Sequence, residues 1–154
     1  MKKLIVLSDS HGAVAMLEFA AQYIERQKPD YLVHLGDFRG DAAWLEKRLE
    51  REVLCVRGNC DIMDRWDREK IFTVEHTCFL AVHGDKFGVK TSLDALSYYA
   101  EEQLCQAALF GHTHEPFTGY VGGVLLINPG TLLNGRMCEI TVDGKKVDPR
   151  IVRV

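Results

Sequence analysis

Side chains that can bind a metal ion stand directly after five short apolar segments of this chain. In sequence order they are Asp9 with His11, Asp37, Asn59, His83, and His112 with His114. Carboxylate, carboxamide and imidazole groups are oxygen and nitrogen ligands that suit Mn²⁺, Fe, Zn²⁺ or Ni²⁺ without selecting one of them. Four of the six histidines of the chain belong to this set. The pattern therefore predicts a metal site that can bind and activate an anionic substrate.

The five apolar segments are predicted strands of an α/β fold. They cover residues 3–7, 31–35, 53–56, 78–82 and 107–110. In open α/β folds the ligand site lies outside the carboxyl ends of the strands. Side chains that are distant in sequence should therefore converge on one face. Asp37 stands alone after its strand, and its carboxylate is the natural bridge if two metal ions lie about 3.5–4 Å apart.

Three amphipathic helices and three hairpins complete the prediction. The first helix ends before Pro29, the second has Asp41 as its N-cap, and the third has Thr91 or Ser92. The apolar stripes are Met16, Leu17, Ala20 and Ile24, then Leu45 and Leu49, then Leu93, Leu96, Ala100 and Leu104. The hairpins join residues 71–74 to 78–82, 120–121 to 124–127, and 137–142 to 146–152.

Length and composition favour one packed domain over residues 1–154. The chain is 47% hydrophobic and 27% charged, which argues against disordered and fibrous classes. A formal charge of −3 gives no electrostatic support for binding nucleic acid or an anionic membrane. The first apolar run ends at Ser8, too early for a signal peptide, and no run is long enough to span a bilayer. The five cysteines lack CxxC spacing, so we expect reduced thiols and a cytoplasmic location.

Each motif also has a structural interpretation when it is taken alone. Asp9 could cap the helix that follows it, and His11 could be a surface residue. The segment Gly111-His112-Thr113-His114 is more specific, because alternate residues of an extended segment would place two imidazoles together. His34 and His76 lie outside the pattern and are expected to have structural or solvent-exposed roles.

The motifs resemble, in order and spacing, those of the calcineurin-like metallophosphoesterases. The matching motifs are Asp9-x-His11, Gly36-Asp37, Gly58-Asn59, His83-Gly84 and Gly111-His112-x-His114, which span almost the whole chain. The short length, the segment 58–61 and the segment 128–131 look most similar to small bacterial and archaeal phosphodiesterases related to the retromer scaffold subunit.

This resemblance implies a four-layer α/β (α+β) sandwich of two sheets flanked by helices. It also implies two divalent metal ions, with Mn²⁺ favoured. One ion would be held by Asp9, His11, Asp37 and His114, and the other by Asp37, Asn59, His83 and His112. The reaction implied is hydrolysis of a phosphoester, with in-line attack on phosphorus by a hydroxide that bridges the metals.

One position departs from the family pattern. Many members have His directly after the Asn, where it protonates the leaving group, whereas this chain has Cys60. A thiol is a weak acid at neutral pH, so we expect a preference for diesters or other substrates with good leaving groups. Asp61 either orients a histidine or caps the next segment, and Asn128 either orients a ligand or forms a turn. Residues that govern specificity are expected between positions 61 and 71.

Two other functions compete with a phosphodiesterase. A protein-interaction scaffold of the same fold, with little or no catalysis, is the main alternative, because the related retromer subunit acts through its surfaces. The intact set of seven candidate ligands favours the enzyme. A nuclease ranks third, since the acidic chain offers no basic groove to follow a phosphate backbone. The sequence is compatible with a homo-oligomer and does not identify the substrate.

Overall fold

Two stacked sheets form the centre of the computed structural model, which describes residues 1–61 and 67–154. The first sheet contains β1 (Lys2–Leu7), β2 (Tyr31–His34), β3 (Leu54–Cys55), β9 (Arg136–Asp143) and β10 (Lys146–Arg153). The second contains β4 (Glu69–Val74), β5 (Thr77–Val82), β6 (Ala107–Leu109), β7 (Phe117–Val121) and β8 (Val124–Asn128). The helices are α1 (Val14–Gln27), α2 (Arg39–Leu49) and α3 (Asp94–Glu102).

Each sheet contains three adjacent parallel strands, and its other two strands run antiparallel to their neighbours. In the first sheet the order is β10-β9-β1-β2-β3, with β1, β2 and β3 parallel. In the second sheet the order is β4-β5-β6-β8-β7, with β5, β6 and β8 parallel. The predicted hairpins β4–β5, β7–β8 and β9–β10 are all antiparallel pairs. The carboxyl ends of the parallel strands in each sheet therefore lie at a common edge.

The apolar core explains the order of the layers. Residues of both sheets, such as Val6, Val33, Phe79 and Leu109, pack between the two sheets. Helices α1 and α2 cover the outer face of the first sheet, where Leu17 and its neighbours form a second cluster. Helix α3 covers the outer face of the second sheet in a third cluster. The predicted four-layer α/β sandwich flanked by helices is confirmed.

Two helix predictions need correction at their ends. Helix α2 begins at Arg39, so Asp41 lies in its first turn and is not the N-cap. The Asp41 carboxylate instead accepts a hydrogen bond of 2.7 Å from the Gly12 backbone. Helix α2 starts early because positive φ angles at Asp37 and Phe38 turn the chain sharply after β2.

Helix α3 is shorter than the apolar stripe predicted. Leu93 stands at its N-cap position, and Leu104 lies beyond its last residue and is 79% exposed. The predicted caps, Thr91 and Ser92, are therefore wrong, although the Ser92 hydroxyl accepts a hydrogen bond from the Asp94 backbone just before the helix. In the described ranges, no helix combines the length and apolar character needed to cross a membrane.

Candidate metal centre

Six of the seven candidate ligands form two groups at the carboxyl ends of the parallel strands. The first group is Asp9, His11 and His114, and the second is Asp37, His83 and His112. Within each group the possible ligand atoms lie within 4.8 Å of one another. Each group contains one carboxylate and two imidazoles, a donor set that suits a divalent transition metal.

Short contacts connect the two groups. His83 Nε2 lies 3.3 Å from Asp37 Oδ2 in its own group and 3.8 Å from Asp9 Oδ1 in the other. Asp37 Oδ2 also lies 3.8 Å from His11 Nε2 of the first group. The Asp37 carboxylate therefore faces ligands of both groups, as a bridging residue must.

The backbone has an unusual conformation at most of these positions. Positive φ angles between 45° and 68° occur at Asp9, His11, Asp37, His112 and His114. Left-handed conformations are uncommon for residues other than glycine and cluster at functional sites, where the surrounding structure maintains them. His112 and His114 consequently do not lie on one extended segment as predicted, and they contribute to different groups.

Two glycines are required because polar side chains of the site lie directly against their backbones. A Cβ atom at Gly58 would overlap the Asp37 carboxylate, and a Cβ atom at Gly111 would overlap Ser8 Oγ. The absence of a side chain at these positions brings the strand ends close enough for the two groups to meet.

Hydrogen bonds fix the orientation of His83. Its Nδ1 lies 2.8 Å from the carbonyl oxygen of Leu35, so Nδ1–H donates and Nε2 faces the site. Burial lowers the pKa of His83, but the nearby carboxylates of Asp37 and Asp9 outweigh this effect and raise it. The same partnership holds the pKa of Asp37 well below its ordinary value, although burial alone would raise it. Asp37 is therefore a carboxylate, with its charge available, throughout the neutral range.

Two buried polar atoms in the site lack a hydrogen-bond partner among the described residues. These atoms are Asp9 Oδ1 and His11 Nε2. Asp9 Oδ2, in contrast, accepts hydrogen bonds from Ser8 Oγ at 2.7 Å and from the His112 backbone at 3.0 Å. Asp9 Oδ1 contacts ring nitrogens of two other candidate ligands, His114 Nε2 at 3.2 Å and His83 Nε2 at 3.8 Å. A buried carboxylate oxygen that accepts no hydrogen bond is unfavourable unless a cation binds to it. The donor set and these two atoms thus fit a bound metal ion.

Asn59 and Cys60 lie at the rim of the second group. The backbone N–H of Cys60 donates a 2.8 Å hydrogen bond to Asp37 Oδ1, and the side chains of both residues are exposed. The Asn59 amide nitrogen lies 3.8 Å from Cys60 Sγ. Partial burial, and then the negative charge of Asp37, raise the pKa of the Cys60 thiol, so it stays protonated at neutral pH.

Asp61 and Asn128 position backbone segments that carry the candidate ligands. Asp61 Oδ2 accepts hydrogen bonds from the backbone N–H groups of Gly58 at 2.9 Å and Asp37 at 3.1 Å. Asn128 donates to the Gly111 carbonyl and to Thr113 Oγ1, and it accepts from the Gly130 backbone. Asn128 therefore holds the loop that contains His112 and His114.

Sequence reasoning did not single out three further residues that support the site. Ser8 binds the Asp9 carboxylate, and the Thr131 hydroxyl donates a 2.8 Å hydrogen bond to the Asp9 carbonyl oxygen. Ser10 lies 2.9 Å from Nε2 of the buried His34. All three stand beside or within the motifs already identified. This position was the only feature of the sequence that could have indicated their role at the site. Residues 62–66, part of the expected specificity segment, lie outside the described residues.

Comparisons with known proteins agree with this geometry. Residues 1–142 match the model of the calcineurin-like phosphoesterase superfamily domain. The probable metallophosphoesterase YsnB of Bacillus subtilis is 33% identical over 132 residues, which cover 84% of this chain and 74% of that protein. Phosphodiesterase YfcE of Escherichia coli K12 is 27% identical over 157 residues, covering 86% of this chain and 80% of YfcE.

A solved structure shows the same fold. A single mutant of Vps29 from Entamoeba histolytica superposes with a TM-score of 0.81 at 18% identity, over 99% of each chain.

Proposed function

This chain belongs to the calcineurin-like phosphoesterase superfamily, and we propose that it is a phosphodiesterase that uses two divalent metal ions. The observation that carries the proposal is the pair of adjacent ligand groups, with the Asp37 carboxylate facing both. The similarity to a phosphodiesterase and to a probable metallophosphoesterase supports the same reaction class.

We assign one ion to Asp9, His11, Asp37 and His114, and the other to Asp37, Asn59, His83 and His112. When bound, two such cations lower the pKa of the attacking water and neutralise phosphate oxygens as charge builds in the transition state. We favour Mn²⁺ and a cytoplasmic location, as the sequence suggested.

The residues of the chain have distinct parts in this scheme. The Asp9 and Asp37 carboxylates provide the negative charge that retains the cations. His83 is held with Nε2 toward the site by the Leu35 carbonyl oxygen. The Asn59 carboxamide can bind a cation through its oxygen and still donate from its nitrogen to a phosphate oxygen. Cys60 occupies the leaving-group position, where its protonated thiol is a weak proton donor.

A preference for diesters follows from this weak donor. A leaving group of low pKa departs without protonation, whereas a poor leaving group needs a proton from the enzyme. We therefore propose that activity is highest on diesters with good leaving groups.

The test is hydrolysis of bis-p-nitrophenyl phosphate and p-nitrophenyl phosphate by metal-stripped protein, before and after addition of Mn²⁺. We expect Mn²⁺ to restore hydrolysis of the diester above that of the monoester. In Asp37→Ala this activity should fall by more than about 100-fold, because loss of residues that only orient a ligand already costs 10–100-fold.

A protein-interaction scaffold remains the second candidate, favoured by the close structural similarity to Vps29. Folded protein without turnover in Mn²⁺, Zn²⁺, Ni²⁺ or Fe²⁺ would favour that function over the enzyme.

A further inference from the structure

A cavity of about 360 Å³ lies next to the loop that carries His112 and His114, with Thr113 of that loop in its lining. Its apolar wall is formed by Val89, Leu93, Phe110, Pro116 and Phe117. Its volume and mainly apolar lining are typical of sites that bind part of a small molecule. We call it the Phe110 cavity.

Residues that line the Phe110 cavity are close in sequence to two candidate metal ligands. Thr113, which stands between His112 and His114, contributes to the lining, and Phe110 is two residues before His112. Asn128 and the Glu115 backbone both hydrogen-bond Thr113 Oγ1, so this part of the wall is fixed.

The position of the cavity indicates which part of a substrate could enter it. Its lining residues follow strands of the second sheet, whereas Asn59 and Cys60 follow β3 of the first sheet. The leaving group departs at Cys60 in the proposed reaction. The cavity is therefore available to the ester group that remains on phosphorus.

We propose that the Phe110 cavity binds an apolar ring, aryl in the simplest case, on the retained ester group of a phosphodiester substrate. This inference rests on the proposed phosphodiesterase function and adds a specificity determinant to it. Transfer of an aromatic group from water into such a cavity is favourable because it removes apolar surface from solvent. Lys90 and Glu115, both exposed, contribute opposite charges to the lining, so apolar contact rather than attraction of the diester anion is the source of the preference.

Two diesters with the same leaving group test the proposal. Bis-p-nitrophenyl phosphate retains an aryl group on phosphorus, whereas methyl p-nitrophenyl phosphate retains a methyl group. We expect Leu93→Ser to reduce the ratio of kcat/KM for these substrates by about 10-fold or more, as expected for an apolar contact in a specificity pocket. Intrinsic reactivity cancels, because each ratio is compared between wild type and variant.

Leu93→Ser should fold, because serine is favoured at the N-cap position that Leu93 occupies. Leu104→Ser is the matched control, since Leu104 is exposed near the other end of α3 and does not line the cavity. Calorimetric titration with diphenyl phosphate, a slow substrate, provides a readout besides turnover. Its affinity should fall in Leu93→Ser and be retained in Leu104→Ser.

The outcomes distinguish the assignment of the Phe110 cavity from the proposed phosphodiesterase function. Metal-dependent hydrolysis of both diesters with an unchanged ratio in Leu93→Ser would overturn the assignment of the cavity and leave the phosphodiesterase intact. A lower rate on both substrates to the same extent would also overturn it, because the cavity would then act on the shared leaving group. Absence of metal-dependent hydrolysis would refute the proposed function itself.

A separate observation concerns two cysteines near the amino ends of β5 and β6, opposite to the strand ends that carry the candidate metal ligands. Cys78 Sγ lies 3.0 Å from Cys105 Sγ, about 1 Å farther than a disulfide bond length. The Gln106 backbone N–H donates a 3.0 Å hydrogen bond to the Cys78 carbonyl oxygen, so the two segments are already paired. In the register of β5 and β6, Phe79 pairs with Ala107, so Cys105 lies diagonally across from Cys78, and the short Sγ–Sγ distance shows that the two side chains turn toward each other.

We infer that Cys78 and Cys105 form a reversible disulfide when a small-molecule disulfide such as oxidised glutathione is present. The Cys78 thiolate attacks one sulfur of the oxidant, forming a mixed disulfide and releasing one thiol. Cys105 then loses its proton and displaces the second thiol from Cys78. The two electrons lost by the protein reduce one oxidant molecule to two thiols. Cys78 is the attacking residue because it is the more exposed of the two.

Peptide mapping after oxidation and alkylation tests this inference. Wild type and Cys60→Ser should each yield a cross-linked peptide that contains Cys78 and Cys105, with reversal by dithiothreitol. Cys78→Ser and Cys105→Ser should yield none. If wild-type protein is incubated with excess oxidised glutathione and then denatured, alkylation of both Cys78 and Cys105 would refute the inference.

Discussion

At the scale of single residues, the candidate ligands combine the appropriate chemistry with an unfavourable backbone. Asp9, His11, Asp37, His112 and His114 all have positive φ. Such conformations persist where neighbouring interactions over-determine them. Here those interactions include the Asp61 carboxylate on the Asp37 backbone and the Thr131 hydroxyl on the Asp9 carbonyl oxygen. The site thus maintains its ligands through residues that bind no metal themselves.

Replacement of Cys60 tests the origin of the leaving-group preference. We expect Cys60→His to raise kcat/KM on diesters with poor leaving groups by about 10-fold or more, relative to good ones. An imidazole is a far better proton donor near neutral pH than a thiol whose pKa is raised by burial and by Asp37. A series of aryl diesters with leaving groups of increasing pKa measures this effect. Cys60→Ser is the control. The prediction would be contradicted if kcat/KM depended equally on the leaving-group pKa in wild type, Cys60→His and Cys60→Ser.

At the scale of elements, each strand end is held by hydrogen bonds from a neighbouring segment. Asn128, at the end of β8, binds the loop after β6, and Asp61 binds the backbone at the ends of β2 and β3. His83, after β5, is anchored to Leu35 beyond β2 in the other sheet. Strand ends, rather than isolated side chains, are therefore the units that determine the geometry of the site.

Loss of Asn128 should weaken metal binding without unfolding the protein. We expect Asn128→Ala to lower the affinity for Mn²⁺ by about 10–100-fold, the usual effect of removing a residue that orients ligands. Isothermal titration calorimetry of metal-stripped protein measures the change. Asn134→Ala is the matched control, because Asn134 is exposed. Equal affinities in the two variants would contradict the assigned role of Asn128.

His34, at the end of β2, predicts a pH dependence of stability. It is buried between Ser10 and the Gly36 backbone, and burial lowers its pKa to about 4. The ordinary pKa of histidine is about 6.5, so between these values the unfolded chain binds the proton that the folded chain excludes. The stabilisation is fully present above pH 6.5 and should decrease, by up to about 3 kcal/mol, as the pH falls to 4.

Urea unfolding of metal-free protein between pH 4 and 7 measures how steeply the free energy of unfolding changes with pH. His34→Gln should have a smaller slope, because glutamine does not titrate. His76→Gln replaces an exposed turn histidine and should behave as wild type. A wild-type slope in His34→Gln would assign the acid sensitivity to other groups.

At the scale of the whole molecule, stacking of the two sheets creates the metal centre. Asp9 and Asp37 follow strands of the first sheet, whereas His83, His112 and His114 follow strands of the second. Neither sheet alone contains a complete ligand group. Metal binding should therefore stabilise the association of the two halves of the sandwich.

We expect saturating Mn²⁺ to raise the melting temperature of metal-stripped protein by about 5–10 °C. A ligand at about 100 times its Kd contributes roughly 2.7 kcal/mol, and proteins of this size gain about 2–4 °C per kcal/mol. Differential scanning calorimetry over a range of Mn²⁺ concentrations measures the shift. The shift should be much smaller in Asp37→Ala. An unchanged melting temperature in wild type with Mn²⁺, Zn²⁺ and Ni²⁺ would contradict a metal centre at these residues.

Much of this architecture was predictable from local patterns. Apolar segments followed by Asp, His or Asn predicted five of the six parallel strands, and the residues after them include all six members of the two candidate ligand groups. Short glycine-containing turns predicted two of the three hairpins, because such turns determine antiparallel pairing. The two antiparallel hairpins β7–β8 and β9–β10 confirm this interpretation.

Other features depend on contacts between residues distant in sequence. The predicted helix ends were wrong at Asp41 and Leu104, because the backbone turns with positive φ at Asp37–Phe38 before α2 and at Leu104 after α3. Three features arise from tertiary packing. They are the hydrogen bonds of Ser8 and Thr131 to Asp9, the Phe110 cavity, and the proximity of Cys78 to Cys105. Residue types and spacing define which chemistry is available to this chain. The stacking of two sheets defines which atoms meet, since hydrogen bonds and cavities form between segments whose proximity no local pattern encodes.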